Sequence, residues 1–240
     1  MKLVSINIEA AKHLDLVRGF LELENPDVIC MQEVFEEDAK FFAKHFDLDY
    51  RYVGMTKKHD TRNSTGLGIW GLAILSRYKI LSDHTDFYVG SEDLLETYDH
   101  TDKGGVRKAL LCVEVEEDDR KWRFANTHFT WTPNGQPTED QRVHLEKLLE
   151  FLEKYPDIIL CGDFNAPRGG EVWSKLALVY KDNIPDTVKT TVDKNNHIAG
   201  DLQLVVDGLF TTPEYGVSNV EVLDGLSDHC AIVAEIEKKS

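Results

Sequence analysis

The chain lacks any apolar run that approaches the roughly 18 residues needed to span a membrane as a helix. Its first eight residues have the composition of a short strand rather than that of a secretory signal peptide. Linkers rich in proline, glycine or serine are missing, and no repeat occurs at the period of a solenoid. We therefore expect a soluble cytoplasmic protein without a membrane span. We also expect residues 1–240 to form a single domain, and the protein to be a monomer.

Cysteine is scarce, and its four occurrences show neither a C-x-x-C pair nor the spacing of a metal site. All four lie inside or beside apolar runs: Cys30, Cys112, Cys161 and Cys230. This pattern favours buried free thiols in a reducing compartment over a disulfide framework or a zinc site.

An excess of basic residues is also absent. The chain has 43 Asp and Glu residues against 27 Lys and Arg residues, which gives a formal net charge of -16. Proteins that grip long DNA without sequence preference need a basic surface, because they must neutralise many phosphates. The composition disfavours such binding, but it leaves room for a small or end-specific phosphate substrate held by a few local cations and a metal.

Short apolar runs with the character of β-strands recur along the whole chain. They cover residues 3–8, 28–32, 71–76, 109–115, 122–127, 158–161, 204–210 and 231–236. Several of these runs are apolar on both faces of the strand, so the sheets that they form should be covered on both sides. The pattern predicts an α/β fold.

Two amphipathic helices are predicted between these strands. Apolar side chains share one helical face over residues 14–21, and this helix should end at Asn25. A second apolar stripe covers residues 145–152, and Thr138 and Gln141 precede it at the spacing of a capping box.

Residues 66–71 match the pattern G-x-G-x-x-G, which in dinucleotide-binding folds follows a strand and opens a helix. Here a polar loop precedes the glycines and an apolar strand follows them. The reversed order argues against cofactor binding and favours flexible backbone that enters a strand.

The most informative segment is Gly162-Asp163-Phe164-Asn165, which follows the apolar run at residues 158–160. Alternation along an extended chain places Asp163 and Asn165 on one side and turns Phe164 toward a core. A carboxylate and a carboxamide would then converge at a strand end and could orient water, a metal or a phosphoryl oxygen. Taken alone, the segment is equally compatible with ordinary turn chemistry.

Other polar residues also stand where apolar strands end or begin: Asn7, Glu33, His128, Asp207, Asp228 and His229. Each alone has a structural explanation, such as a buried amide bonded to backbone or an acid that caps a turn. If they gather at one edge with Asp163, however, the four carboxylates of the combined set repel one another. This repulsion costs several kcal/mol unless a cation compensates. Their oxygen ligands suit Mg²⁺ or Mn²⁺ better than zinc.

This set of motifs resembles the endonuclease/exonuclease/phosphatase superfamily, and the resemblance covers essentially the whole chain. Its segments, in the order of the family, are Ser5-Ile6-Asn7-Ile8, Met31-Gln32-Glu33-Val34, Leu72-Ala73-Ile74-Leu75-Ser76-Arg77, Asn126-Thr127-His128, Gly162-Asp163-Phe164-Asn165, Val206-Asp207-Gly208-Leu209-Phe210 and Ser227-Asp228-His229. The resemblance implies a four-layer α/β/β/α sandwich of two packed mixed sheets with helices outside. The active site would lie at one sheet edge.

The resemblance also implies roles for the motif residues. Glu33 would be the principal metal ligand, with Asn7 and Asp228 supporting the metal and phosphate site. Asp163 would orient or deprotonate the attacking water, and Asn165 would hold the nucleophile and a phosphoryl oxygen.

By the same resemblance, His229 would pair with Asp207, whose carboxylate fixes the imidazole and favours its charged form. His128 occupies the position that contacts the scissile phosphate in the deoxyribonuclease branch. The implied chemistry is the in-line attack of water on phosphorus, with Mg²⁺ or Mn²⁺ neutralising the developing charge.

Specificity is expected from residues outside these motifs. Arg107 and Arg168 are candidates for phosphate contacts, and Trp131 could either stack on a base or pack on the loop beneath it. Residues 57–62 form a small cationic island that could receive phosphates or be a solvated loop, whereas the acidic residues 91–103 would repel a polyanion.

The resemblance therefore predicts a metal-dependent phosphodiester hydrolase acting on nucleic-acid ends, DNA or RNA, or on small nucleotide-type diesters. Gly104-Gly105, before Arg107 and Lys108, looks closest to the branch near tyrosyl-DNA 5′ phosphodiesterases, while Ser5 and Val205 depart from the motifs of many nucleases. The alternative is a phosphomonoesterase or a phospholipid-headgroup hydrolase of the inositol phosphatase or sphingomyelinase type. A catalytically silent binding domain is disfavoured, because a competent residue occupies every expected position.

Overall fold

The computed structural model describes residues 1–99 and 105–239. Its strands are β1 (Lys2–Asn7), β2 (Val28–Phe35), β3 (Asp49–His59), β4 (Leu67–Ser76), β5 (Ile80–Val89), β6 (Lys108–Glu117), β7 (Arg120–His128), β8 (Ile159–Asp163), β9 (Lys181–Asp182), β10 (Asp207–Thr211), β11 (Tyr215–Leu223) and β12 (Ala231–Lys238). Its helices are α1 (Leu14–Glu24), α2 (Glu36–Phe46), α3 (Glu139–Leu152) and α4 (Glu171–Ala177), with a short 3₁₀ helix at Pro133–Gly135.

The strands form two mixed sheets of six strands each. The order is β11-β12-β1-β2-β4-β3 in the first sheet and β5-β6-β7-β8-β10-β9 in the second. Each sheet contains one parallel pair, β1 with β2 and β7 with β8, while the other neighbours are antiparallel. A crossover with one helix, α1 or α3, joins each parallel pair. The carboxyl ends of these two pairs are the usual place for a ligand site in an α/β protein.

The apolar side chains sort into two cores that define four layers. On the outer face of the first sheet, α1 and α2 pack through Val17 and Phe42 against Met31. A larger core fills the space between the sheets and continues to α3 and α4, which contribute Leu148 and Leu176. The predicted α/β/β/α sandwich is therefore confirmed.

All eight predicted strand segments contain a strand, but the one expected at residues 204–210 was placed too early. The strand β10 begins only at Asp207. Loop backbone occupies the preceding carbonyls, because Leu204, Val205 and Val206 accept from the amides of Thr191, Arg168 and Phe164.

Both predicted helices are present, with ends close to those expected. Helix α1 is followed by Asn25 in the left-handed conformation. At the start of α3, the Thr138 hydroxyl accepts from the Gln141 amide at 3.2 Å. The Gln141 side chain donates to the Thr130 carbonyl instead of returning to Thr138, so only half of the capping box forms.

The pattern of apolar residues did not predict four strands and two α-helices: β3, β5, β9, β11, α2 and α4. The strands β5 and β11 are sheet edges with polar, exposed positions instead of a continuous apolar run. Helix α2 has no side-chain cap, although its first turn carries Glu36, Glu37 and Asp38, which suit a helix N-terminus.

All four cysteines are buried and free, as predicted. Across residues 1–99 and 105–239, no helix is long and apolar enough to cross a membrane.

A buried amide bridge connects the two sheets beside the ends of their parallel pairs. Gln32 of β2 donates from Nε2 to Oδ1 of Asn126 in β7 at 2.7 Å. Asn126 donates from Nδ2 to the carbonyls of Met31 and Ala73 at 2.8 and 3.0 Å. Because Gln32 precedes Glu33 and Asn126 lies two residues before His128, this bridge fixes the relative position of two motif residues.

Asn126→Ala should lower the free energy of unfolding by about 2 kcal/mol or more, because it leaves buried polar groups without their partner. Urea denaturation of wild type and variant measures the change. The exposed Gln136→Ala is the matched control and should change stability by less than about 0.5 kcal/mol. Equal stabilities of Asn126→Ala and wild type would show that the bridge contributes nothing.

Candidate active site

Three candidate residues stand side by side at one end of the second sheet. Asp163, the last residue of β8, is in register with His128 of β7 and with Asp207 of β10. Residues in register on neighbouring strands project to the same face of a sheet. The three side chains are buried, so their ionisable groups interact in a medium of low polarity.

Close backbone contact between β7 and β8 supports this row. A Cβ on Gly162 would lie 2.0 Å from the carbonyl oxygen of Thr127, so a larger residue would push the strands apart. Gly162 thus keeps His128 and Asp163 abreast.

The turn after Asp163 brings Asn165 beside it. Asn165 has a left-handed φ of 49°, and its backbone amide donates to Oδ1 of Asp163 at 2.8 Å. Its side-chain Nδ2 donates to the carbonyl of Phe129 at 3.1 Å. Phe164 turns into the core, edge-on to Phe210 at 5.2 Å. A turn and not strand alternation thus places Asn165 next to Asp163, and the Asn165 backbone amide, not its carboxamide, makes the contact with the carboxylate.

The first sheet contributes Asn7 and Glu33. The pairing of β2 with β4 shifts between Met31 and Val34, and Glu33 within this bulge has a φ of 57°. A bulge adds a residue to one strand and re-aims its side chains. Asn7 donates from Nδ2 to Glu33 Oε1 at 3.3 Å and to Asp163 Oδ2 at 3.2 Å, so its amide links the two sheets.

The last two candidates come from the segment before β12. Nδ1 of His229 donates to Oδ2 of Asp207 at 2.8 Å, while its Nε2 lies 3.7 Å from Oδ2 of Asp163. Asp228 accepts from the Ser227 hydroxyl at 3.2 Å. The Thr191 hydroxyl accepts from the amide of Asp207 at 3.0 Å and so holds the start of β10.

Burial and like charges shift the pKa of the carboxyl groups upward. Burial raises the pKa of Asp163 from 3.8 to about 7; His229 opposes this rise, whereas Asp207 and Glu33 add to it. Burial also raises the pKa of Asp228 to about 6, again opposed by His229. The negative charges are thus only partly balanced by the protein itself.

The two histidines shift in opposite directions. Burial by itself would lower the pKa of His229, but the charges of Asp207 and Asp163 outweigh it and hold the pKa well above 6.5. Burial, together with Lys108 and His229, keeps the pKa of His128 well below 6.5. His229 is therefore the charged imidazole of the site and His128 the neutral one.

A cavity of about 440 Å³ borders this row at His128. Glu33, Asn165 and Trp131, the last of which is 48% exposed, also line it. Other residues on the wall were not identified as site residues from sequence: Thr56, Trp70, Tyr98, Lys108 and His144. Tyr98 lies in a loop and the others come from strands and a helix without a shared motif, so only their long-range contacts reveal them.

The two candidate arginines do not face this cavity. Arg107 donates to the carbonyls of Gly54, Ser91 and Glu92, and its guanidinium packs on Phe87. These bonds engage Nε and Nη1 of Arg107, and Arg107 is not among the residues that line the cavity, so its phosphate contact stays a prediction that this geometry does not support.

Arg168 is likewise engaged in the structure. It bonds to Asp182 at 2.8 Å and to the carbonyls of Ile184 and Pro185. Its phosphate contact likewise stays a prediction, and these bonds do not support it.

Two basic residues of the cationic island at residues 57–62 make different contacts. Lys58 lines the cavity, 3.8 Å from Oε2 of Glu33 and 4.6 Å from the Trp70 ring. Arg62 instead makes a bidentate ion pair with Asp38. The acidic stretch 91–103 lies only partly in the described residues, and Gly104 lies outside them.

Comparison with known proteins is consistent with this arrangement. Residues 4–229 match the sequence model of the Endonuclease/Exonuclease/phosphatase family. No curated protein sequence matches the chain. Among solved structures, the human Nocturnin catalytic domain with bound sulfate anion has a TM-score of 0.73 at 17% identity, over 100% of this chain and 93% of that chain.

Two further structures share the fold over nearly their full length. A mannosyl-6-phosphatase from Bacteroides thetaiotaomicron has a TM-score of 0.70 at 16% identity, over 99% of both chains. D. rerio TDP2, humanized by 14 mutations, has a TM-score of 0.72 at 15% identity, also over 99% of both chains. At such identities the likeness shows the fold alone.

Asp207→Asn should lower the pKa of His229, because the imidazole loses the carboxylate 2.8 Å from Nδ1 while it stays buried. A raised histidine pKa stabilises the fold at low pH, and this contribution disappears as pH rises through the raised value. The variant should therefore lose more stability at about pH 6 than at higher pH. NMR titration of the ring, assigned with His229→Gln, measures the pKa. Asp193→Asn, which removes another buried acid, is the control and should leave the pKa of His229 in place.

Proposed function

Because the chain belongs to the endonuclease/exonuclease/phosphatase family, we propose that it is a divalent-metal-dependent phosphodiester hydrolase that directs water onto phosphorus. The observation that carries the proposal is the buried row of His128, Asp163 and Asp207, with His229 and Asn7 bonded into it. A structural role alone would not require so many ionisable groups in contact at one sheet edge.

The donor set fits a divalent cation. Oδ1 of Asp207 is buried without a hydrogen-bond partner, and ligand atoms of Asp163, Asp207 and His229 lie within 4.8 Å of one another. Glu33 and Asp228 add carboxylate oxygens nearby, and Asn7 adds a carboxamide. Such oxygens suit Mg²⁺ or Mn²⁺.

We assign the metal to Glu33, with Asn7 and Asp228 completing or supporting its site. When bound, the cation would neutralise charge that develops on the phosphoryl oxygens. Because the pKa of His229 is raised, its imidazolium has a hydrogen at Nε2 and is less suited to bind a metal. This favours Glu33 over the Asp163–Asp207–His229 group as the main metal ligand.

Asp163 is the residue that we assign to the attacking water. Its pKa of about 7 is close to the value at which a general base works best near neutral pH. The backbone amide of Asn165 occupies Oδ1, which leaves Oδ2 directed toward His128, His229 and Asn7. A water at Oδ2 would be oriented by groups that are already fixed.

His229 and His128 serve different purposes in this proposal. His229 remains protonated through Asp207 and can donate from Nε2 to an oxygen that gains charge in the transition state. His128 is neutral, packs edge-on against Trp70 at 5.5 Å, and would contact the scissile phosphate. Asn165 would hold the nucleophile and a phosphoryl oxygen.

The cavity and the charge of the chain support a compact substrate. A volume of about 440 Å³ is in the range of small-molecule pockets, and the net charge of -16 disfavours a long polyanion. We therefore propose a nucleic-acid end, DNA or RNA, or a small nucleotide-type diester. Four buried free thiols support a reducing compartment such as the cytoplasm.

A phosphomonoester is the second candidate, since a cavity of about 440 Å³ suits it equally. The neighbour from Bacteroides thetaiotaomicron is a mannosyl-6-phosphatase, and human Nocturnin holds a sulfate anion on the same fold. A phospholipid headgroup is the third candidate substrate.

Mg²⁺ should raise the melting temperature more at about pH 8 than at about pH 5.5. A carboxyl group with a raised pKa holds a proton when the pH is below that pKa, and it is charged and repels its neighbours when the pH is above it. Protons therefore compete with the cation at low pH. Differential scanning fluorimetry with Mg²⁺ or Mn²⁺ measures the shift. Glu33→Gln should reduce it, and Glu114→Gln, whose carboxylate pairs with Lys121 and Arg123, should not. Equal shifts at both pH values would argue against a metal on these carboxylates.

Asp163→Asn and His229→Gln should each lower kcat by about 10²- to 10⁴-fold, since each removes a group that moves or holds a proton. The matched control is Asp157→Asn, a buried acid near the other end of β8 that should change stability but not the kcat of the folded protein. Full activity of both site variants would refute the assigned roles.

A substrate panel separates the candidate substrates. Purified protein with Mg²⁺ should cleave a 5′ phosphotyrosyl oligonucleotide or the end of single-stranded or duplex DNA faster than it hydrolyses inositol phosphates, mannose 6-phosphate or sphingomyelin. Release of phosphate or headgroup from the latter three compounds alone would overturn the diester assignment in favour of the alternatives.

A further inference from the structure

Lys108, the first residue of β6, is a buried lysine on the wall of the cavity. Only 8% of the residue is exposed. Lysine is rarely buried to this extent without a paired anion, because an unpaired ammonium loses its hydration.

Among the residues that the structure describes, no carboxylate forms an ion pair with Lys108. Its ammonium has one hydrogen-bond partner there, the carbonyl of Phe129 at 3.2 Å. An ammonium has three donors, so two of them have no protein partner in the described residues. The second lysine of the cavity differs, since Lys58 lies 3.8 Å from Oε2 of Glu33 and over the Trp70 ring.

The Phe129 carbonyl also accepts from Nδ2 of Asn165 at 3.1 Å. One oxygen therefore holds the Lys108 ammonium and the Asn165 amide next to each other. Both residues line the inner cavity together with His128. Burial lowers the pKa of Lys108 to about 8, while the charges of Asp163 and Glu33 oppose this change, so the amine is still mostly protonated at neutral pH.

We propose that Lys108 binds the phosphoryl group of the substrate, with its ammonium beside the Asn165 amide. This assignment rests on the proposed function. An anion in the cavity would supply a direct ion pair, which no described residue gives the buried ammonium, and the interaction would be strong because little water competes for it. The residue would thus favour substrates with an exposed anionic phosphate and contribute to stabilising charge during hydrolysis.

The test compares Lys108→Met with wild type in binding inorganic phosphate, measured by isothermal titration calorimetry on the full chain with and without Mg²⁺. We expect at least a tenfold loss of phosphate affinity, whereas Lys44→Met, which changes an exposed lysine of α2 on the outer face of the first sheet, should bind as wild type does. Lys108→Arg keeps the charge and should retain part of the affinity. Equal affinity of Lys108→Met and wild type, or no binding by wild type, would overturn the proposal.

Thermal stability provides a readout that a purely structural lysine would not produce. Without phosphate, Lys108→Met should melt no lower than wild type, because it removes a buried charge that forms no ion pair with a described residue. Phosphate should then raise the melting temperature of wild type but not that of the variant. A variant that melts lower and still gains the full phosphate shift would show that Lys108 only supports the Phe129 carbonyl.

Hydrolysis of bis(p-nitrophenyl) phosphate separates this proposal from the proposed function. If wild type hydrolyses the diester while phosphate binding is independent of Lys108, only the assignment of Lys108 fails. If phosphate binding depends on Lys108 but no ester is hydrolysed with Mg²⁺ or Mn²⁺, the anion site stands and the proposed function fails.

Discussion

The strand register at the end of the second sheet is the constraint on which the site depends. It places His128, Asp163 and Asp207 abreast on one face, where they cannot avoid one another. Gly162 permits the close backbone approach that this register needs, and Thr191 holds the start of the third strand. The first sheet then adds its own groups across the interface through a bulge at Glu33 and the amide of Asn7.

This arrangement is unfavourable for an unliganded fold and useful for phosphate chemistry. Buried carboxylates raise one another's pKa, and the protein balances them only in part with His229 and Lys108. Cation and anion binding would each relieve a different part of this imbalance. The chain is acidic overall, and the two lysines that line the cavity, Lys58 and Lys108, come from β3 and β6, so our proposal confines the attraction for phosphate to this cavity.

The structure separates the residues that could be predicted from those that could not. Apolar runs predicted most strands, since burial on both faces leaves a continuous pattern, but they missed edge strands such as β5 and β11, whose exposed positions are polar. The polar strand ends drew attention to the site residues, although the turn conformation of Asn165 and the bulge at Glu33 were not visible in the pattern. Arg107 and Arg168 were selected by type and proximity along the chain. Arg107 donates to backbone carbonyls, and Arg168 donates to backbone carbonyls and to the Asp182 carboxylate.

The sequence by itself determined the layered α/β class, the buried free thiols and the set of polar residues at the strand ends, because these depend on local periodicity and residue chemistry. Only the tertiary structure decided which of these groups share protons, which histidine is charged, and which lysine faces the cavity without an ion pair among the described residues. Those properties arise from distances of 3 to 4 Å between side chains that are up to 156 residues apart along the chain, such as Asn7 and Asp163. Burial then makes each such contact strong enough to shift a pKa, and burial of a particular side chain is set by the packing of both sheets together.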